Sequence, residues 1–160
     1  MAFTDHNVKA FGAIGDGITV STAAIQAAID VCHENGGGRV TVPSGVFLTG
    51  SIFLKSNVEL HLSHGAVIKA SEDLDDYNDL DAYPQNFGWA PEEWVGKHLI
   101  LAIECENVAL TGSGVIDGSA SAFYEEPYLI TGNCWREGNA MTFVGDKLYF
   151  TFGFGCGQSR

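Results

Sequence analysis

Apolar and polar residues alternate with a period of two through much of the chain after position 38. Val58, Leu60 and Leu62 fall on one side of an extended segment and Glu59 and His61 on the other, the pattern of a half-buried β-strand. Val40-Thr41-Val42 alternates in the same way, and Pro43-Ser44-Gly45 turns the chain before Val46-Phe47-Leu48. The pattern then repeats. Asn57-Val58-Glu59-Leu60-His61-Leu62 with Gly65-Ala66-Val67-Ile68-Lys69-Ala70-Ser71 returns about fifty positions later as Asn107-Val108-Ala109-Leu110-Thr111 with Gly114-Val115-Ile116-Asp117-Gly118-Ser119. A unit made of two short strands and two small-residue corners cannot bury its apolar face alone. It must stack on copies of itself, which predicts the coils of a solenoid with a groove along its side rather than a compact pocket.

One segment follows the helical period instead. In 21–35, Ile25, Ala28, Ile29 and Cys32 fall at i, i+3, i+4 and i+7, while Gln26, Asp30 and Glu34 lie elsewhere around the axis. Ser21 or Thr22 is placed to cap the N-terminus, and Asn35 with Gly36-Gly37-Gly38 to supply the left-handed stop. A parallel sheet covered by helices would need longer apolar strands and a helix between each pair, and the sequence offers a single clear helix.

Composition narrows the class. The 160 residues are 46% hydrophobic and 18% charged, which suits one globular domain, and 20 glycines against 4 prolines suit many tight corners. A net charge of −12 argues against nucleic acid and against anionic membranes as partners. Cys32, Cys105, Cys134 and Cys156 are scattered without metal-ligand spacing, so free thiols and no metal site are expected, and no cofactor is implied. With no signal peptide or spanning segment in the chain as given, a cytoplasmic location is the expectation.

Between the two copies lies an insertion, 72–97, rich in acid (Glu72, Asp73, Asp75, Asp76, Asp79, Asp81, Glu92, Glu93) and in aromatics. Tyr77, Trp89 and Trp94 are the candidates for a sugar-stacking wall; the alternative is a solvated loop whose aromatics pin it to the solenoid flank. The acids follow no EF-hand spacing. The five histidines have no nucleophile at catalytic spacing and are read as structural or surface groups.

Val8-Lys9-Ala10-Phe11-Gly12-Ala13-Ile14-Gly15-Asp16-Gly17, then Thr22-Ala23-Ala24-Ile25-Gln26-Ala27-Ala28-Ile29-Asp30, resembles the opening of the pectate-lyase-like right-handed parallel β-helix proteins. Gly38-Arg39-Val40-Thr41-Val42-Pro43-Ser44-Gly45, Leu48-Thr49-Gly50-Ser51-Ile52, Leu54-Lys55-Ser56-Asn57-Val58 and Gly114-Val115-Ile116-Asp117-Gly118 resemble glycoside hydrolase family 28, the polygalacturonases and their relatives. The resemblance implies an all-β fold, a right-handed single-stranded parallel β-helix of few coils with an N-terminal capping α-helix. One domain is then expected over 1–160: a cap segment 1–38, coils at 39–71 and 98–122, the insertion, and an atypical segment 123–160 that departs from the coil pattern.

Structural roles are expected for Gly12, Gly15, Asp16 and Gly17, where the chain folds onto the first coil. They are likewise expected for Asn57 and Asn107 at equivalent corners, where their amides can bond to each other or simply tolerate left-handed geometry, and for Gly114, Asp117 and Gly118. The family's hydrolytic centre, as the resemblance implies it, consists of an Asn-Thr-Asp stretch, an Asp-Asp pair, a Gly-His-Gly and an Arg-Ile-Lys. None occurs here in that context, so no catalytic residue is assigned and the chain is expected to be inactive alone, as the N-terminal part of a pectin-acting hydrolase. Two alternatives stand beside it: a non-catalytic carbohydrate-binding or assembly module that self-associates through its open end, and a lyase or epimerase of the same superfamily. A pectic or uronate-containing carbohydrate is the implied partner.

Overall fold

A computed structural model of the chain describes residues 4–78, 98–119 and 122, and the backbone of 140–144 and 147–151. It contains two compact units, Met1–Tyr124 and Glu125–Arg160.

In the first unit the alternating segments form β1 (Asp5–Asn7), β2 (Asp16–Val20), β3 (Gly38–Val42), β4 (Gly45–Thr49), β5 (Ile52–Leu54), β6 (Val58–Leu62), β7 (Ala66–Ala70), β8 (Ile100–Ala102), β9 (Ala109–Gly112) and β10 (Val115–Asp117). The helical segment forms α1 (Thr22–Glu34) between β2 and β3. Strands β1, β3, β6 and β9 stack into one face, β2, β4, β7 and β10 into a second, and β5 and β8 into a third. Every pairing among them is parallel. The chain therefore returns above itself once per coil, a right-handed parallel β-helix in the sense that parallel crossovers adopt.

Register carries the apolar positions into columns. Val40 lies over Leu60 and Leu60 over Leu110, while Phe47 lies over Ile68 and Ile68 over Ile116. Val40, Phe47, Ile52, Val58, Leu60 and Ile68 are fully buried, and Val108 packs against this core. Burying each of these large side chains stabilises the stack by about 1.5–3 kcal/mol.

The stripe Ile25, Ala28, Ile29 and Cys32 of α1 is wholly buried. The helix closes the stack over β1, β3, β5 and β6. Its ends differ from the sequence expectation. Ser21 stands at the N-cap without a side-chain bond to the helix. Its hydroxyl oxygen instead accepts the Ile14 N–H at 3.0 Å, and Thr22 Oγ1 accepts the Gly50 N–H at 2.8 Å. Both hydroxyls are used in tertiary bonds that tie neighbouring segments to the helix start. At the other end Asn35 stays right-handed (φ −82°) and Gly36 takes the left-handed position (φ 92°). Gly36 N–H donates to the His33 carbonyl and Gly37 N–H to that of Cys32, both at 2.9 Å, which is a Schellman stop.

Within the second unit, β11 (Ala140–Val144) and β12 (Lys147–Thr151) pair antiparallel, with Ala140 opposite Thr151 and Val144 opposite Lys147. Part of the atypical segment 123–160 thus forms a hairpin ladder. Among the described residues no helix is long and apolar enough to cross a membrane.

Candidate functional site

The insertion leaves the stack after β7 and re-enters before β8. Of the three aromatic candidates, Tyr77 is described and Trp89 and Trp94 lie outside the described residues. Asp73 Oδ1 accepts the Asp75 N–H at 3.0 Å and so caps a short 3-10 turn, Leu74–Asp76. Ser71 donates its hydroxyl to the Asp76 carboxylate. The Tyr77 hydroxyl donates to the Ser71 carbonyl at 2.6 Å, and burial followed by the charge of Asp76 pushes its phenol pKa up. Tyr77 thereby pins the loop to the coil, and its polar end is committed to protein.

The two ends of the insertion meet on Ser51. Its hydroxyl donates to the His98 carbonyl at 2.5 Å and accepts the Asn78 N–H at 2.9 Å. Asn78 Oδ1 in turn accepts the His98 N–H at 3.0 Å. The neighbouring Gly50 is required by space, because a Cβ there would sit 1.8 Å from the Asp76 carbonyl oxygen. Sequence reasoning missed this clamp. Its members are 20 to 47 residues apart, and only the coil geometry brings them together.

A second polar constellation lies on the outward face of β1, β3, β6 and β9. Arg39 grips Glu59 through Nε and a terminal nitrogen, both at 3.1 Å. Thr111 donates to Glu59 at 2.5 Å, His61 Nδ1 lies 2.8 Å from the Thr111 hydroxyl, and Thr41 donates to Asp5 at 2.6 Å. The Thr111 hydroxyl bond, then the Arg39 bond, hold the Glu59 carboxyl below the ordinary range. That suits an ion pair and opposes the role of a general acid, which must hold its proton near working pH. Lys69 faces Glu72 at 3.9 Å. Among the described residues no group of His, Cys, Asp or Glu is arranged to hold a metal ion.

The corner residues singled out in the sequence are placed as follows. Asn57 and Asn107 both take positive φ, 65° and 54°, and Asn107 Nδ2 donates to Asn57 Oδ1 at 2.9 Å. Gly15 has the Phe47 ring 2.9 Å from where a Cβ would stand, and Gly12 and Gly17 take φ of 97° and 76°. A Cβ on Gly114 would meet Leu62 at 2.6 Å, Asp117 accepts the Ser119 N–H, and nothing crowds Gly118. Asp16 caps the bend at Ile18 and Thr19.

Parallel coils, an amide pair at stacked corners and a helix over the N-terminal end define a parallel β-helix of the pectate-lyase-like kind. The chain belongs to the rhamnogalacturonase A/epimerase, pectate lyase-like family, whose profile matches residues 6–144. It is 38% identical over 117 residues to the exo-poly-alpha-D-galacturonosidase of Dickeya chrysanthemi, covering 71% of this chain and 19% of that protein. It superposes on the family 28 exopolygalacturonase of Yersinia enterocolitica with a TM-score of 0.60 and 39% identity, covering 73% of this chain and 21% of that one. It is also 48% identical over 64 residues to mannuronan C5-epimerase AlgE1 of Azotobacter vinelandii, covering 35% of this chain and 5% of that protein. The chain thus spans about a fifth of the length of the galacturonosidase and of the exopolygalacturonase.

Proposed function

We propose that this chain builds the N-terminal coils of a polygalacturonase-like glycoside hydrolase acting on pectic polysaccharide or oligosaccharide, and that it supplies scaffold rather than the hydrolytic pair. The observation that carries the choice is the extent of the likeness. The chain is 38% identical to the galacturonosidase over 117 residues, whereas its 48% identity to the epimerase AlgE1 spans 64 residues. Over 72% of the chain the AlgE6 epimerase module is only 27% identical, against 39% over 73% for the exopolygalacturonase. The segment common to both supports a reading as architecture, and the higher identity to the hydrolases over the longer span favours the hydrolase over the lyase or epimerase.

The chemistry of the described surface supports the scaffold role. Inverting hydrolysis needs a protonated acid and a carboxylate base about 6.5–9.5 Å apart. The bonds that Asp16 and Glu59 accept lower the pKa of each, so neither is prepared as the protonated acid. A polyanionic substrate also needs cations to receive it, and of the four described Lys and Arg side chains Arg39 and Lys69 each face a carboxylate and Lys9 stands over the Phe47 ring. The chain incubated with polygalacturonate is expected to release no reducing ends above background, with or without Ca²⁺. Reducing ends at enzyme-like rates, or the ultraviolet absorbance of unsaturated products, would each refute this.

A second reading, a non-catalytic assembly module, is favoured by the exposure of Leu110, Val115 and Ile116 (47%, 55% and 40%) on the last described coil. Self-association through that end would then appear as a mass rising with concentration, abolished by Leu110→Lys.

A further inference from the structure

The second face of the stack ends on β2, the outermost strand of its sheet. Around β2 the chain exposes three large aliphatic side chains, Ile14 at 49%, Ile18 at 81% and Val20 at 46%. An exposed strand edge flanked by apolar side chains is a template for strand addition, because its free N–H and C=O groups pair with any extended chain. Here the template is interrupted. β2 advances from Asp16 to Val20 while β4 advances only from Val46 to Leu48, so two extra residues bulge out of the ladder. Within the bulge the Asp16 side chain takes two backbone N–H groups and one hydroxyl. Oδ1 accepts the Ile18 N–H at 2.9 Å and the Thr19 N–H at 2.8 Å, while Oδ2 accepts the Thr19 hydroxyl at 2.8 Å.

We propose that Asp16 is an edge guard: by consuming the two bulge donors beside Ile18, it closes β2 against strand addition by a second copy of this chain. Gly17 completes the device, since its φ of 76° gives the backbone the left-handed step that turns Ile18 and Thr19 toward the carboxylate. The aliphatic row alone is insufficient for pairing, because a docking strand would meet donors already occupied. The same bonds hold the Asp16 carboxyl below its ordinary range, Thr19 N–H first and Ile18 N–H second, so the acceptor is charged at neutral pH.

The test uses the full chain at neutral pH, with sedimentation velocity read over a concentration series. Asp16→Ala is expected to associate, with a weight-average mass at least about twice that of the unaltered chain at the highest concentrations. Asp16→Asn, which keeps the Oδ1 acceptor, is expected to match the unaltered chain, and Asp16→Ala/Ile18→Lys to return to its mass. Association through Leu110, Val115 and Ile116 would be present in the unaltered chain and indifferent to Ile18→Lys, so the two surfaces are separable. If Asp16→Ala does not melt cooperatively, Asp16→Val, which suits a strand and has no acceptor oxygen, carries the same comparison. A folded Asp16→Ala whose mass tracks the unaltered chain at all concentrations overturns the proposal, as does association that Ile18→Lys leaves intact.

Discussion

Asn107 does two things at once: it accepts a backbone φ of 54° that most L-residues avoid, and it donates to Asn57 one coil away. Asn107→Ala is expected to cost about 1–2 kcal/mol in chemical denaturation, and Asn107→Gly less, because glycine keeps the conformation while losing the amide bond. Glu59 gives a pH-dependent counterpart. Its pKa is lowered in the folded state, so its stabilisation is complete above the ordinary value of 4.5 and is lost as pH falls through the folded value. The melting-temperature gap between the unaltered chain and Glu59→Gln should therefore be present at about pH 5 and shrink as pH falls below that. At this scale the sequence was readable where the backbone makes a demand. The repeated Asn at a corner and the glycines near position 15 stood out, because few residues serve there. Arg39, Glu59 and Thr111 did not, since a charged side chain on an outward strand position looks the same whether it is solvated or paired. Knowing the coil step would have revealed them, as Arg39 and Glu59 are register partners.

The elements themselves follow from periodicity. The helix was legible because four apolar residues fell on one stripe, and the strands because their alternation has only one way to face a core. The caps were less legible, since Ser21 and Thr22 have the right chemistry for capping and spend it on Ile14 and Gly50. Similarly, the acidic insertion was visible as a break in pattern, while the hydroxyl that fastens it, Ser51, sits in a Thr-Gly-Ser corner whose residues carry no sign of a partner 47 positions away. Because that clamp holds Asn78 and His98 within hydrogen-bond distance, replacing 80–96 with a short Gly-Ser link is expected to leave the melting temperature within a few degrees of the unaltered chain. Adding Ser51→Ala to the shortened chain should lower it further, since Asn78 and His98 would lose their common partner; thermal denaturation followed by circular dichroism reads both.

Across the molecule, burial falls along the stack. Leu60 and Leu110 are register partners in the same column, yet Leu60 is 0% exposed and Leu110 47%. Leu60→Ala is expected to cost about 2–5 kcal/mol and Leu110→Ala under about 1 kcal/mol, a contrast that urea titrations resolve. The two leucines share a register column, so the ratio reports how burial changes from one coil to the next. The fold class was legible because a unit that repeats without closing its own core has few other solutions. The antiparallel ladder of Ala140–Val144 with Lys147–Thr151 was not, since alternation fixes which side a residue faces and says nothing about strand direction.

The step from β3 to β6 takes twenty residues (Gly38 to Val58) and that from β6 to β9 fifty (Glu59 to Ala109), yet both end on the same amide-locked corner geometry or its neighbour in the ladder. Altitude in this scaffold is therefore metered by turns and is blind to contour length. The closure entropy of a longer excursion rises only logarithmically. Descendants can exchange or enlarge the excursion between β7 and β8, and with it whatever the molecule meets, while the staircase beneath is inherited unaltered.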